Sequence, residues 1–357
     1  MKKTATLTFQ NAENYGAILQ AYALQKVIIS FDLNNEILNY SSEYMGKPYG
    51  LSALKRKGLI RYFLGIGYYI LRLARKPKFD RFRIEEMNFS KPLNKNDLKN
   101  IENKYDAFIV GSDQVWNDSI TNLDSAFFLN FVNSPDKKFS YAASFGFEKI
   151  EINVKKQYKY LLKDFSAFNM REESGVKIIK SLLNKYANLV LDPTLLLTNK
   201  QWKSISIPPK KNNKYILVYQ LTFSSLLVKT VKKISNKTGY DIISIPFPMG
   251  GFFNSDINIF SGPKEWIGLF SNAEIIVTDS FHGCCFSILF NKKFKVCLTD
   301  GVTRIYNLLN MFELESCLIK KDTNFKIQDN INWNKVNNLL EFQRNKSINI
   351  LKRMLKN

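Results

Sequence analysis

Short, almost wholly apolar runs alternate along this chain with longer amphipathic stretches, and that alternation restricts it to an α/β architecture. Thr4–Phe9 reads as a strand, Gln10–Gly16 as a loop, and the run from Ala17 to Ile29 as a largely buried helix. Further strands are predicted at Ala107–Val110, Phe139–Ala143, Ala167–Met170 and Leu189–Leu191, with helices between several of them. The pattern stops around Thr198–Lys214, where Ile207-Pro208-Pro209-Lys210-Lys211-Asn212-Asn213 has the turn-rich, charged character of a linker. It restarts with Tyr215–Gln220, a continuous apolar strand of the kind buried in a parallel sheet. Helix Ser225–Asn236, strand Asp241–Ile245, helix Pro263–Asn272, strand Glu274–Thr278, helix Gly283–Phe290, strand Lys295–Leu298 and helix Arg304–Phe312 follow. A basic helix, Val336–Leu355, ends the pattern. The expected organisation is a doubly wound domain over 1–200, a second over 201–330, and the basic helix within 331–357. Two such domains would leave a cleft between the carboxyl ends of their strands, the default place for a site.

Composition narrows the function. With 45% apolar residues the chain can bury two cores, which excludes a disordered protein. Four cysteines without a Cys-x-x-Cys pair, and a single histidine, give neither a disulfide framework nor a zinc site, so no metal is expected. Lys2 and Lys3 are followed by no apolar signal region, and no stretch has the length of a membrane span. The expected location is the cytoplasm.

The formal charge is +21, and residues 55–83 carry ten Lys or Arg against Asp80 alone. The apolar run Tyr62–Leu71 lies inside that segment. A solvated helical hairpin would account for it, and so would peripheral contact with the inner, anionic face of the cell membrane. Nucleic acid is not expected as a partner, because no recognised binding motif accompanies the charge.

Polar residues with chemical potential cluster just after strands. Asn14 and Gly16 precede the first helix and suit a cap or an acceptor contact. Gly111-Ser112-Asp113-Gln114-Val115-Trp116-Asn117 leaves the strand at Val110, and Asp113, Gln114 and Asn117 are dense in groups that bond sugar hydroxyls; Asp113 equally suits a helix cap. Arg171 follows the strand ending at Met170 and can hold an anion, or pair with Glu172 or Glu173. In Thr278-Asp279-Ser280-Phe281-His282-Gly283 the only histidine sits where a buried strand turns into a helix, as a general acid or base would. The amides of that helix start would receive an anion. There is no Walker loop and no Gly-x-Ser-x-Gly elbow, and Gly65-Ile66-Gly67 lacks the rest of a dinucleotide fingerprint.

Six segments in series resemble the polysaccharide pyruvyl transferase family: Asn14–Gln25, Val110–Asn117, Tyr141–Gly146, Arg171–Ser174, Leu191–Thr194 and Thr278–Gly283. The resemblance implies a GT-B-like fold of two Rossmann-like domains facing a central cleft. It also implies transfer of pyruvate from phosphoenolpyruvate, a co-substrate rather than a cofactor, to two hydroxyls of a sugar as a cyclic ketal. Arg171 and His282 match family positions associated with the donor. Some members carry Arg where this chain has Ser280, so either Arg304 or another cation binds the anion, or the donor differs. On this basis His282 and Asp113 are expected to be catalytic. Arg171, Ser280, Gly283 and Arg304 are expected on the donor side, in the second domain apart from Arg171. Asn14, Gly16, Gln114 and Asn117 are expected on the acceptor side, with a sugar or lipid-linked oligosaccharide as partner. The alternatives are a metal-independent glycosyltransferase using a nucleotide-sugar, and a non-catalytic basic module binding glycan or nucleic acid.

Overall fold

The computed structural model describes residues 2–42, 44, 74–210, 213–222, 224–245, 256–257, 261–298, 303–319 and 330–356. Residues 55–73 of the basic segment, with its apolar run, lie outside these; its remainder forms part of a helix over 74–86. The chain divides into two compact units: Met1–Pro48 with Arg83–Leu196 and Glu341–Asn357, and Tyr49–Phe82 with Leu197–Leu340.

The first unit is built on parallel strands β1 (Lys3–Leu7), β2 (Asn34–Tyr40), β3 (Phe89–Leu93), β4 (Ala107–Val110) and β5 (Lys138–Ser140), in the order β3-β2-β1-β4-β5. A parallel bridge from Phe139 to Ala167 carries the sheet on to the pair β6 (Phe168–Met170) and β7 (Ala187–Leu189). Every residue of β4 is buried, as expected of a strand covered on both faces. Helix α1 (Tyr15–Ile29) crosses from β1 to β2 and is buried around almost its whole circumference. Its buried Gln25 is satisfied by backbone: Nε2 donates to Asn35 O at 3.1 Å and Asn88 O at 2.8 Å, and Oε1 accepts from Asn88 N. The helix over 74–86, α2, precedes β3. Helices α3 (Ile152–Leu162) and α4 (Glu173–Leu183) connect β5 to β6 and β6 to β7. Trp116 anchors the core, its ring 5.3 Å from Phe145 and 5.5 Å from Phe165.

In the second unit α5 (Asn199–Ser204) precedes the sheet, whose order is β10-β9-β8-β11-β12-β13, all parallel. Its strands are β8 (Tyr215–Tyr219), β9 (Asp241–Ile245), β10 (Asp256–Ile257), β11 (Ile275–Thr278), β12 (Lys293–Cys297) and β13 (Leu318–Ile319). Helices α6 (Ser225–Thr238), α7 (Pro263–Asn272), α8 (Phe281–Leu289) and α9 (Thr303–Met311) lie between them in sequence. The last helix, α10 (Trp333–Lys356), contributes its residues from Glu341 onward to the first unit. There Arg344 Nε donates to Leu195 O at 2.8 Å, and Ser347 Oγ accepts from Leu191 N at 3.0 Å.

Each sheet reverses its direction of growth once, between β1 and β4 in the first unit and between β8 and β11 in the second. The chains leaving two neighbouring strands there diverge to opposite sides, so the space beyond their carboxyl ends is left open.

Candidate functional site

Beyond β1 and β4 the first unit assembles a buried polar cluster. Gly111 donates its N–H to Leu7 O at 2.8 Å, and a Cβ at Gly111 would come within 3.0 Å of Thr8 Cβ, so the strand exits pack tightly. Thr8 Oγ1 donates to Ser112 O at 2.8 Å and receives Gln20 Nε2 at 2.8 Å. The Oε1 atoms of Gln10 and Gln20 are buried acceptors with no hydrogen-bond partner among the described residues. Ser112 Oγ donates to Asp192 Oδ2 at 2.9 Å. The same oxygen takes Arg171 Nη1 at 3.1 Å, while Asp192 Oδ1 accepts from Thr194 N and Oγ1 at 3.0 and 2.7 Å.

Arg171 thus sits among three carboxylates, with Nε 3.6 Å from Glu172 and Nη2 3.7 Å from Asp113 in addition to Asp192. Its side chain is 1% exposed, as is that of Glu172, and that of Asp192 is fully buried. Burial opposes the guanidinium charge, but Asp113, Asp192 and Glu172 outweigh it and raise the Arg171 pKa above its ordinary value. Asp113 is the outermost member, 15% exposed. Its φ of 82° is in the left-handed region, an uncommon backbone for a residue with a side chain. The conformation is held by Gln114 N donating to Asp113 Oδ1 at 2.9 Å and Ser144 N donating to Asp113 O at 3.0 Å.

The other residues named on this side meet more local partners. Asn14 Oδ1 accepts from Ala17 N at 3.1 Å and caps α1, in which Gly16 is buried. Asn117 caps a single-turn helix and donates through Nδ2 to Gln114 Oε1 at 2.9 Å. That amide pair lies over Gly146 at φ 77°, where a Cβ would be 2.1 Å from Gln114 Oε1.

Beyond β8 and β11 the second unit forms its own site. Asp279 accepts from Leu221 N at 2.6 Å through Oδ1, and from Thr222 N and Oγ1 at 2.8 and 2.7 Å through Oδ2. It thereby ties the loop after β8 to the loop after β11. Burial pushes its carboxyl pKa up, against those hydrogen bonds. Thr278 Oγ1 donates to Tyr219 O at 2.6 Å and accepts from Ser280 N at 3.0 Å. Ser280 is the N-cap of α8, its Oγ accepting from Gly283 N at 3.3 Å. His282 is the second residue of that helix, mostly buried, its ring edge-on to Phe281 at 5.4 Å. Gly283 has to lack a side chain, because its Cβ would fall 2.4 Å from Thr278 Oγ1. Arg304 lies in the first turn of α9, which packs on α8. The sequence alone did not single out Asp279, Asp192 or Gln20, whose partners lie on other strands or loops. Among the described residues no group of three or more His, Cys, Asp or Glu side chains is arranged to hold a metal ion, and no helix is long and apolar enough to cross a membrane.

Parallel, doubly wound α/β units with polar loops at their switch points define a GT-B-like fold, and solved structures bear this out. The chain is similar to UDP-GlcNAc 2-epimerase from Methanocaldococcus jannaschii at 14% identity and TM-score 0.53, covering 97% of this chain and 93% of that one. It is similar to UDP-GlcNAc 2-epimerase from Neisseria meningitidis at 10% identity and TM-score 0.52, covering 99% of each. At such identities the likeness is one of fold. The sequence is more specific: the model of the family described as polysaccharide pyruvyl transferase matches residues 14–300, and the chain belongs to that family of transferases. Curated proteins give no match.

Proposed function

We propose that the protein transfers pyruvate from phosphoenolpyruvate to two hydroxyls of a sugar, closing a cyclic ketal in the synthesis of a bacterial capsule, exopolysaccharide or cell-wall glycan. The observation that carries this reading is His282 at the start of α8, beyond the switch point between β8 and β11, in a chain of this family. An imidazole at the start of a helix provides a proton donor beside a helix end that favours anions.

The chemistry balances as follows. A proton passes to the methylene carbon of phosphoenolpyruvate, and the first sugar hydroxyl adds to the neighbouring carbon while losing its own proton. The C–O bond to phosphate then breaks, and the second hydroxyl adds to the same carbon and loses its proton. The products are the ketal and inorganic phosphate, which carries away one of the two hydroxyl protons. We assign His282 to the proton delivered to the methylene, with the start of α8, capped by Ser280 and packed on Thr278 at Gly283, and Arg304 receiving the donor anions. Asp113 is assigned to the acceptor hydroxyl, with Gln114, Asn117, Asn14 and Gly16 shaping its surroundings. Arg171 is engaged by carboxylates and buried, so we assign it to the positioning of Asp113 rather than to direct contact with the donor.

Incubation with phosphoenolpyruvate and a panel of lipid-linked oligosaccharides tests this, reading phosphate release and a pyruvate-sized mass gain. His282→Asn should abolish both in a folded protein. Nucleotide release from a nucleotide-sugar, with phosphoenolpyruvate untouched, would replace the reading by glycosyl transfer. Tight, salt-dependent glycan or nucleic-acid binding without turnover would replace it by a binding module.

A further inference from the structure

We propose that the outward face of helices α3 and α4 docks on the surface of an anionic lipid bilayer. This reading is independent of the chemistry assigned to His282.

The two connections β5–α3–β6 and β6–α4–β7 step in the same direction across a parallel sheet. Right-handed crossovers therefore place both helices on the same face, side by side, and they pack on each other. The buried side of α3 is formed by Tyr158 and Leu162, and that of α4 by Ile178, Ile179 and Leu182. On α3 and its C-cap Lys163 the opposite side presents Lys156, Lys159, Tyr160 and Lys163, at the three- and four-residue spacing of one helical stripe, all exposed. On α4 it presents Lys177 and Lys180. Helix α3 contains no acidic residue, and α4 only Glu173 in its first turn. Asp164, just beyond α3, acts on the buried Lys138.

Charge alone would not distinguish this face, since α6 also carries four lysines and no acid. The apolar side chains do. The five most exposed large apolar residues among those described are Ile152, Ile84, Tyr186, Phe342 and Tyr160, and three of them belong to this helix pair or its immediate end. Tyr160 is 61% exposed with Lys163 Nζ 4.7 Å above its ring, and Tyr186 is 81% exposed. Lys185 Nζ donates to Lys163 O at 2.6 Å and Phe165 O at 3.0 Å, so the chain after α4 is held against the end of α3 and Tyr186 adjoins that end. Lysines drawn to anionic headgroups, with tyrosines at headgroup depth among them, are the chemistry a bilayer surface selects. A nucleic acid would be attracted by the lysines alone, without need of Ile152.

The test is flotation of the full-length protein with phosphatidylcholine vesicles, with and without about 30% phosphatidylglycerol, at about 0.1 M salt. Binding to the anionic vesicles only is expected, and its loss at about 1 M salt. Lys156→Gln/Lys159→Gln/Lys163→Gln should lower the partition coefficient about 100-fold, at about five-fold per lysine, with an unchanged circular dichroism spectrum. Tyr160→Ser/Tyr186→Ser should weaken binding without changing net charge. The comparison variant Lys229→Gln/Lys232→Gln/Lys237→Gln on α6 removes the same charge and should retain most of the binding. An equal loss in both lysine variants would overturn the proposal, because net charge would then suffice. Binding abolished only by neutralising Arg72, Arg75 and Lys76 would overturn it too, as would capture of RNA in place of vesicles.

Discussion

Replacing Arg171 by Met removes the guanidinium that pairs with Asp113, Glu172 and Asp192 and leaves the three carboxylates in place. At an effective dielectric of about 20 an ion pair at the 3.1 Å separation of Arg171 and Asp192 is worth about 5 kcal/mol of attraction, largely offset by desolvation of both ions. The variant keeps the desolvation of the carboxylates and loses the attraction, which for a buried pair costs about 3–5 kcal/mol. Asp192→Asn restores part of this in the Arg171→Met background by lowering the residual charge, although the amide meets donors from Ser112 and Thr194 where the carboxylate accepted them. The expected signature is a favourable coupling of about 0.5–3 kcal/mol between the two substitutions. Two compact units make a single melting curve ambiguous. The assay is therefore amide hydrogen exchange in rising urea, read on peptides covering β4 and β6, with peptides of β11 and α8 as internal reference. A loss below about 1 kcal/mol, or additive single and double variants, would refute the view of Arg171 as the counter-ion that holds the cluster together.

Gly283→Ala should cost about 1–3 kcal/mol by overpacking, since the new methyl would sit 2.4 Å from Thr278 Oγ1, and unchanged amide exchange in α8 peptides in rising urea would refute it. Gly268→Ala on α7 improves helix propensity by about 1 kcal/mol yet should destabilise, because its Cβ would lie 1.8 Å from Ile207 O; amide exchange of α7 peptides in rising urea gives the sign. Asp279→Asn should lower stability by about 1–3 kcal/mol, because one amide cannot accept the three hydrogen bonds from Leu221 and Thr222; exchange at those two amides is the readout. Partial burial opposes ionisation of Glu102, but bonds from Asn133 and Ser134 prevail and bring its pKa from 4.5 down to about 2. A depressed carboxyl pKa contributes stability above the unfolded value and loses it as pH falls through the folded one. Glu102→Gln should therefore be less stable than the parent at neutral pH, with the gap closing towards pH 2 on acid titration.

What the sequence made legible was local. All-apolar β4 and β8, the Gly-capped α6 and the Pro-initiated α7 carry their own signals, and their observed limits fall within two residues of expectation. Strand β2 was not anticipated, because Asn34-Asn35-Glu36 carries no strand signal. It forms because Asn35 is satisfied sideways by Thr4 and Thr6 hydroxyls at 2.8 and 3.1 Å, partners some thirty positions away. Strand β7 ends at Leu189 rather than Leu191 for a similar reason: Leu191 N finds Ser347 Oγ on the last helix instead of a neighbouring strand.

The site divides along the same line. Strand ends can be read from a sequence, so His282 and Asp113 could be named from it. The partners that decide what a side chain is available to do cannot. Glu172 is next to Arg171, but Asp192 and Asp113 reach it only because β4, β5 and β6 are laid in order with β7 beyond, which puts residues far apart in sequence around one guanidinium. Asp279 is the clearest instance. It lies three residues from His282 along the chain, but β8 and β11 are neighbours, so its carboxylate faces the amides of Leu221 and Thr222. A carboxylate holding three donors from the opposite loop fixes the turn from which α8 starts. The orientation of His282 therefore depends on a strand adjacency that no run of neighbouring residues encodes.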